Sequence, residues 1–262
     1  PYVTPGISGS IKAPGFDRPS TNPQTIKQYR PRVQKAMLLS HDRDDIMFTA
    51  KALVRGSSKP TAGCLEGTQH LAGYISGKNR DVYKFNWRTP ETKRRLIVKV
   101  DTDFAGCLVT RRSTSGGCLM LNGCLVKGWA KTQATVAQST CEAEFIGANV
   151  GGKEALGYAN MLAELGMFID GGIHMQTDAS AAIGVAKRTG VGKLRHLHVC
   201  FLWLQEQVKL GNIILHKVPG EENTADIYTK YLPNQEIMSK LFNDKWTNVE
   251  FVLNGDQKKK LS

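Results

Sequence analysis

Apolar positions change their spacing near residue 95. Before it they recur at helical intervals, and after it short alternating runs interleave with helical stretches. Residues 1–25 are rich in Pro, Gly, Ser and Thr, show little periodicity and read as a linker. Val33, Met37, Ile46, Phe48, Ala52 and Leu53 predict two short helices around the polar break at 40–45. A third helix is expected after Pro60, with Leu65, Leu71, Tyr74 and Ile75 on one face, although Gly63, Gly67 and Gly73 weaken it. Residues 77–95 are polar and basic and read as a hairpin or connector.

Strands take over at Leu96-Ile97-Val98-Lys99-Val100, a β-rich run ending at Asp101. Residues 118–121 and 124–129 flank Asn122-Gly123, a pair that accepts the positive φ angles of a type I′ hairpin turn. A helix is expected over 139–165, broken near Gly151-Gly152, then a strand at 173–177 ending in Asp178 and a helix at 179–187. A helix over 197–210 capped by Gly211, a strand at 212–218 and a final helix at 221–230 complete the order. Three antiparallel strands followed by helix, strand, two helices, strand and helix describe a layered α/β domain of ordinary size.

Composition narrows the class. The chain has 262 residues with 41% hydrophobic content, enough for a real core and well outside the disordered range. No run approaches the ~18 apolar residues of a membrane span, so no membrane partner is expected. The start at Pro1, without Met or the regions of a signal peptide, suggests a piece of a longer chain or a processed product. Six cysteines without a C-x-x-C pair read as scattered, mostly buried thiols of a reducing intracellular compartment. Charge is uneven: residues 1–95 carry 17 Lys and Arg against 7 Asp and Glu, and the remainder 18 against 16. A basic first third beside a balanced remainder suits an arm that holds a polyanion next to an acidic site, or simply a solvated basic surface.

Four carboxylates stand at element ends. Asp101 and Asp178 close predicted strands, Glu144 lies in the first turns of the long helix, and Asp226 lies near the start of the last. Each alone is also an ordinary helix-start residue. Brought together they would repel unless cations neutralised them. Oxygen-only ligands suit Mg²⁺ or Mn²⁺, and two such ions can clamp an in-line phosphoryl displacement.

Several ordered blocks carry a resemblance: Val100-Asp101-Thr102-Asp103-Phe104-Ala105-Gly106, Arg111-Arg112-Ser113-Thr114-Ser115-Gly116, Thr135-Val136-Ala137 with Glu142-Ala143-Glu144-Phe145, Thr177-Asp178, Arg195-His196-Leu197, and Thr224-Ala225-Asp226-Ile227 running to Leu232-Pro233. They are similar to the ribonuclease H domain of copia-type LTR retrotransposon Pol polyproteins. Upstream, Tyr29-Arg30, Asp42-Arg43-Asp44-Asp45-Ile46 and Tyr74-Ile75 resemble the connection region that precedes that domain, so the likeness covers about residues 4–235. No Y-x-D-D polymerase motif is present.

The resemblance implies a ribonuclease H-like α/β fold. This is a five-stranded mixed sheet, three antiparallel strands then two parallel additions, with flanking helices and a small helical connection region before it. The implied organisation is a linker over 1–25, the connection region over 26–95, the nuclease domain over 96–235 and a tail over 236–262. Asp101, Glu144, Asp178 and Asp226 would be catalytic and would hold two Mg²⁺ or Mn²⁺ ions, with Glu144 favoured over Glu142. The implied reaction cuts the RNA strand of an RNA–DNA hybrid, one ion activating water and the other stabilising the leaving 3′ oxygen. Arg112, Ser113, Lys193, Arg195 and His196 would bind the substrate, recognised by backbone shape and 2′-hydroxyls. The other partner would be the reverse transcriptase polymerase portion of the same polyprotein. A catalytically silent nucleic-acid-binding module and a decayed fragment are the alternatives. His216 reads more readily as a structural strand residue than as a proton shuttle, and Trp129 and Trp203 as core more readily than as stacking platforms.

Overall fold

A computed structural model describes residues 2–6, 22–80, 94–107, 109–190, 192 and 196–245. Three helices come first: α1 (Pro23–Leu39), α2 (Met47–Val54) and α3 (Ala62–Gly77). Asn22 caps α1 by accepting from the Gln24 amide, and Thr61 caps α3 by accepting from the Cys64 amide. Next come β1 (Leu96–Asp103), β2 (Thr114–Leu121) and β3 (Cys124–Thr132), then α4 (Thr140–Glu164), β4 (Ile173–Thr177) and α5 (Ser180–Lys187). The described residues end with α6 (Trp203–Lys209), β5 (Ile213–Lys217) and α7 (Gln235–Lys245).

The strands form one sheet in the order β3-β2-β1-β4-β5. β1, β2 and β3 pair antiparallel, while β4 adds parallel to β1 and β5 parallel to β4. This is the ribonuclease H-like sheet that the sequence led us to expect. The β2–β3 turn has both central residues at positive φ, Asn122 at 49° and Gly123 at 78°, as a type I′ turn requires.

Period-two alternation buries both faces of the sheet. Leu96, Val98 and Val100 of β1, Leu119 of β2, Met175 of β4 and Ile213 of β5 pack under Phe145, Ala148 and Ala155 of α4, Val185 of α5 and Leu204 of α6. Trp129 belongs to this core, and Trp203 packs against it. The neighbours of Leu119, Cys118 and Met120, join Leu125 in a second core. Its other members include Tyr29, Val33, Leu53, Leu71 and Tyr74 from the N-terminal helices, with Ile227, Tyr228, Leu232, Met238 and Leu241 from the C-terminal segment. The N-terminal helices therefore share their core with the sheet.

Several expectations need correction. β1 runs two residues past Asp101 to Asp103, because β2 pairs with it as far as Thr114. β2 begins at Thr114, although Gly116 and Gly117 are poor strand formers. A Cβ on Gly116 would meet Tyr228 and Thr229, and one on Gly117 would meet Trp129 and the Lys99 carbonyl. α4 is unbroken at Gly151-Gly152. The stretch 197–210 is a 3-10 turn, Val199–Leu202, followed by α6. The stretch 221–230 forms two 3-10 turns, Gly220–Glu222 and Thr224–Tyr228, and α7 follows inside the expected tail. Within the expected linker, Thr4 is buried and its carbonyl meets His70 Nε2 at 2.8 Å. None of the six cysteines forms a disulfide; Cys64, Cys107 and Cys118 are buried, Cys124 and Cys141 are half-buried, and Cys200 is exposed.

The glycines of α4 let it lie close on β1. A Cβ on Gly147 would strike Thr102 Oγ1, and one on Gly151 would strike Val100 Cγ1, whereas one on Gly157 meets nothing. Alanine in place of a helical glycine stabilises by about 1 kcal/mol where space allows, and overpacking costs ~1–3 kcal/mol. Gly157→Ala is therefore expected to raise stability and Gly151→Ala to lower it by ~1–2 kcal/mol. Equal gains in urea unfolding would refute this packing argument.

Candidate active site

The sheet brings the four sequence-marked carboxylates to one end. β1 supplies Asp101, which is buried. The parallel register pairs Lys99 with Gln176, so two residues further on Asp178 comes level with Asp101. Gly220 leaves room there, since a Cβ on it would sit 3.0 Å from Asp178 Oδ2. α4 contributes Glu144, also buried. Its first turn is fastened to β2 by Gln133, whose Nε2 donates to Ser115 Oγ at 2.9 Å and to the Ala143 carbonyl at 2.8 Å. The turn after β5 supplies Asp226. Asn223 pins that turn by donating from Nδ2 to the Val100 carbonyl (2.9 Å) while its Oδ1 accepts from the Ala225 amide (3.2 Å).

The four groups sense one another. Burial, then the negative charges of Asp101 and Asp178, push the Glu144 carboxyl up to about 9 against the opposing charge of Lys230. Burial and Asp101 likewise push Asp226 up to about 7, again against Lys230.

Glu142 points its chemistry elsewhere. Its amide donates to the Ser139 hydroxyl at 3.1 Å, and its Oε2 accepts from the Gln138 amide and lies 2.8 Å from His196 Nε2. It closes the start of α4 in the manner of a capping box, leaving Glu144 to face the other carboxylates.

Two residues of the family-like block, to which the sequence assigned no role, complete the cluster. The Thr229 hydroxyl donates to Asp101 Oδ2, and Lys230 Nζ lies 2.8 Å from Asp226 Oδ2. The available signal was their place in that block, three and four residues beyond Asp226.

The expected substrate-binding residues divide. Arg112 is exposed, in the loop between β1 and β2. Ser113 requires correction: it is fully buried, and its Oγ accepts from the Ala105 amide at 3.0 Å, so it closes the loop and offers nothing to a ligand. His196 is tied to Glu142, and Lys193 and Arg195 lie outside the described residues. His216 lies in β5 with its Nε2 2.8 Å from His174 Nδ1. The basic arm is also partly committed: Arg43 is buried against Asp45, and Lys51 is buried with Nζ 2.5 Å from Thr114 Oγ1. Lys27, Arg30, Arg32 and Lys35 of α1 stay exposed.

The donor set is all oxygen and suits a hard divalent cation. One donor atom is conspicuous, because Asp226 Oδ1 is buried and has no hydrogen-bond partner. Mutual repulsion among the carboxylates points the same way. Among the described residues, however, no three His, Cys, Asp or Glu side chains stand close enough together to ligate one ion in this arrangement. Lys230 and Thr229 engage the oxygens of Asp226 and Asp101.

No family model matches the chain. The retrovirus-related Pol polyprotein from transposon TNT 1-94 of Nicotiana tabacum is 28% identical over 195 residues, covering 74% of this chain and 14% of its own length. Secreted RxLR effector protein 161 of Plasmopara viticola is 40% identical over 114 residues, covering 44% of this chain and 78% of its own length. Among solved structures, the N-terminal ribonuclease H domain of a Mycobacterium tuberculosis protein, fused to maltose-binding protein, aligns with a TM-score of 0.35 at 15% identity. That alignment covers 57% of this chain and 96% of the domain. The chain thus spans about one seventh of the tobacco polyprotein.

Proposed function

We infer that this chain, which is similar to retrovirus-related Pol polyproteins of plant transposons, is a metal-dependent endoribonuclease that cuts the RNA strand of RNA–DNA hybrids. The observation that carries this reading is the gathering of Asp101, Glu144, Asp178 and Asp226 at one end of a ribonuclease H-like sheet. These four carboxylates would hold Mg²⁺ or Mn²⁺. Such ions supply the charge neutralisation and water activation that phosphodiester hydrolysis needs.

The remaining roles belong to the chain itself. Thr229 orients Asp101, Asn223 fixes the turn that carries Asp226, and Gln133 sets the height of Glu144. The exposed Arg112 and the exposed bases of α1 would offer phosphate contacts that follow backbone shape and weaken with salt. The polymerase portion of the same polyprotein is the natural source of the hybrid.

Purified chain incubated with Mg²⁺ or Mn²⁺ and end-labelled duplexes is expected to shorten the RNA of a hybrid and to leave DNA duplex intact. Binding without cleavage in both cations would instead assign the chain to a silent nucleic-acid-binding module. That second reading draws on the lack of a closed three-ligand set among the described residues.

A further inference from the structure

Lys230 sits where the charge of the site is greatest. It follows Asp226 by one helical turn, and its amide donates to the Asp226 carbonyl at 3.2 Å. Its ammonium lies 2.8 Å from Asp226 Oδ2, leaving Oδ1 of the same carboxylate buried and unpaired. It also feels the charges of Asp101 and Asp178, and it opposes the repulsion on Glu144. The Lys230 side chain is 51% exposed, while that of Asp226 is only 16% exposed. The lysine thus reaches in from solvent and can leave towards it without disturbing the core.

We propose that Lys230 is a built-in stand-in for the divalent cation, balancing Asp226 while the site holds no ion and releasing it when an ion binds. This rests on the reading of the four carboxylates as a cation site. Two features favour the role. A half-exposed pair four residues apart is weak, so an ion drawing on several carboxylates outcompetes it. And while the ammonium holds Asp226 Oδ2, that carboxylate is withheld from a common ligand set, in keeping with the absence of a closed three-ligand group among the described residues. Lys230 therefore trades affinity for preservation: it lowers apparent cation affinity and keeps the cation-free site from repelling itself apart.

The test is calorimetric titration of Mg²⁺ and Mn²⁺ into the full chain, with thermal unfolding in chelator and in saturating cation. Lys230→Met and Lys230→Gln are expected to bind about 3- to 10-fold more tightly, to unfold at lower temperature in chelator, and to regain wild-type stability with cation. Lys230→Arg, which keeps the charge, should stay near wild type in both measurements. Unchanged or weaker binding in Lys230→Met and Lys230→Gln, with wild type binding normally, would overturn this proposal and leave the cation site standing. No binding in wild type or any variant would overturn the cation site and this proposal with it.

Discussion

Asp101→Asn and Asp178→Asn are each expected to reduce hybrid cleavage by at least about a thousandfold, the scale on which loss of one member of a catalytic unit is felt. Both substitutions keep side-chain size and remove one negative charge, so the fold should survive and hybrid binding should persist. Loss of rate with retained binding separates a chemical role from a structural one. The neighbouring glutamates supply an internal control. Glu144→Gln should match the aspartate variants, because Glu144 faces Asp101 and Asp178. Glu142→Gln should instead cost ~1 kcal/mol of stability with little change in rate, because its carboxylate closes the start of α4. Wild-type rates in Asp178→Asn, or loss of rate in Glu142→Gln alone, would refute the assignment.

The second large effect concerns pH. Without divalent cation the chain is expected to lose stability steadily as pH rises from about 4 to about 9. Glu144 has an ordinary value of 4.5 and stands at about 9 in the fold, and Asp226 moves from 3.8 to about 7. Between each pair of values the folded state holds a proton that the unfolded state has released, so raising pH favours unfolding. Added cation is expected to reverse the sign by taking the place of those protons. At about 100 times its dissociation constant a bound ion contributes ~2.7 kcal/mol, or roughly 5–10 °C in a domain of this size. Thermal unfolding at pH 6 and pH 8.5, in chelator and in Mg²⁺, should show the larger gain at the higher pH. A melting temperature in chelator that is flat or rising from pH 5 to 9 would contradict this account of the site.

Much of this arrangement could be read from residue order. β1, the Asn122-Gly123 hairpin, α4 and β4 announce themselves by period, turn chemistry and capping, and three of the four acidic positions follow from those elements. What escaped depends on contacts between distant segments. Gly116 and Gly117 look like loop residues until Tyr228, Thr229 and Trp129 are seen pressed against them. Gly151-Gly152 reads as a break, yet Gly151 is the point where α4 rests on Val100. The stretch around Asp226 has helical composition, but Asn223 turns its side chain to the Val100 carbonyl and holds the backbone in 3-10 turns. Ser113 sits in a family-like block and still faces inward. Thr229 and Lys230 stand in a family-like block, but their role comes from the carboxylates they touch, which residue order does not specify.

The second core, in which Tyr29, Val33 and Tyr74 meet Met120, Tyr228 and Leu241, has a mechanical consequence. The exposed bases of α1 and the carboxylates at the end of the sheet ride on the same packed body, so they keep a constant separation. A duplex gripped by that helix would meet the cutting groups at a set number of base pairs from the grip. The N-terminal helices would then work as a ruler, and lengthening the segment between α3 and β1 should leave that spacing unchanged.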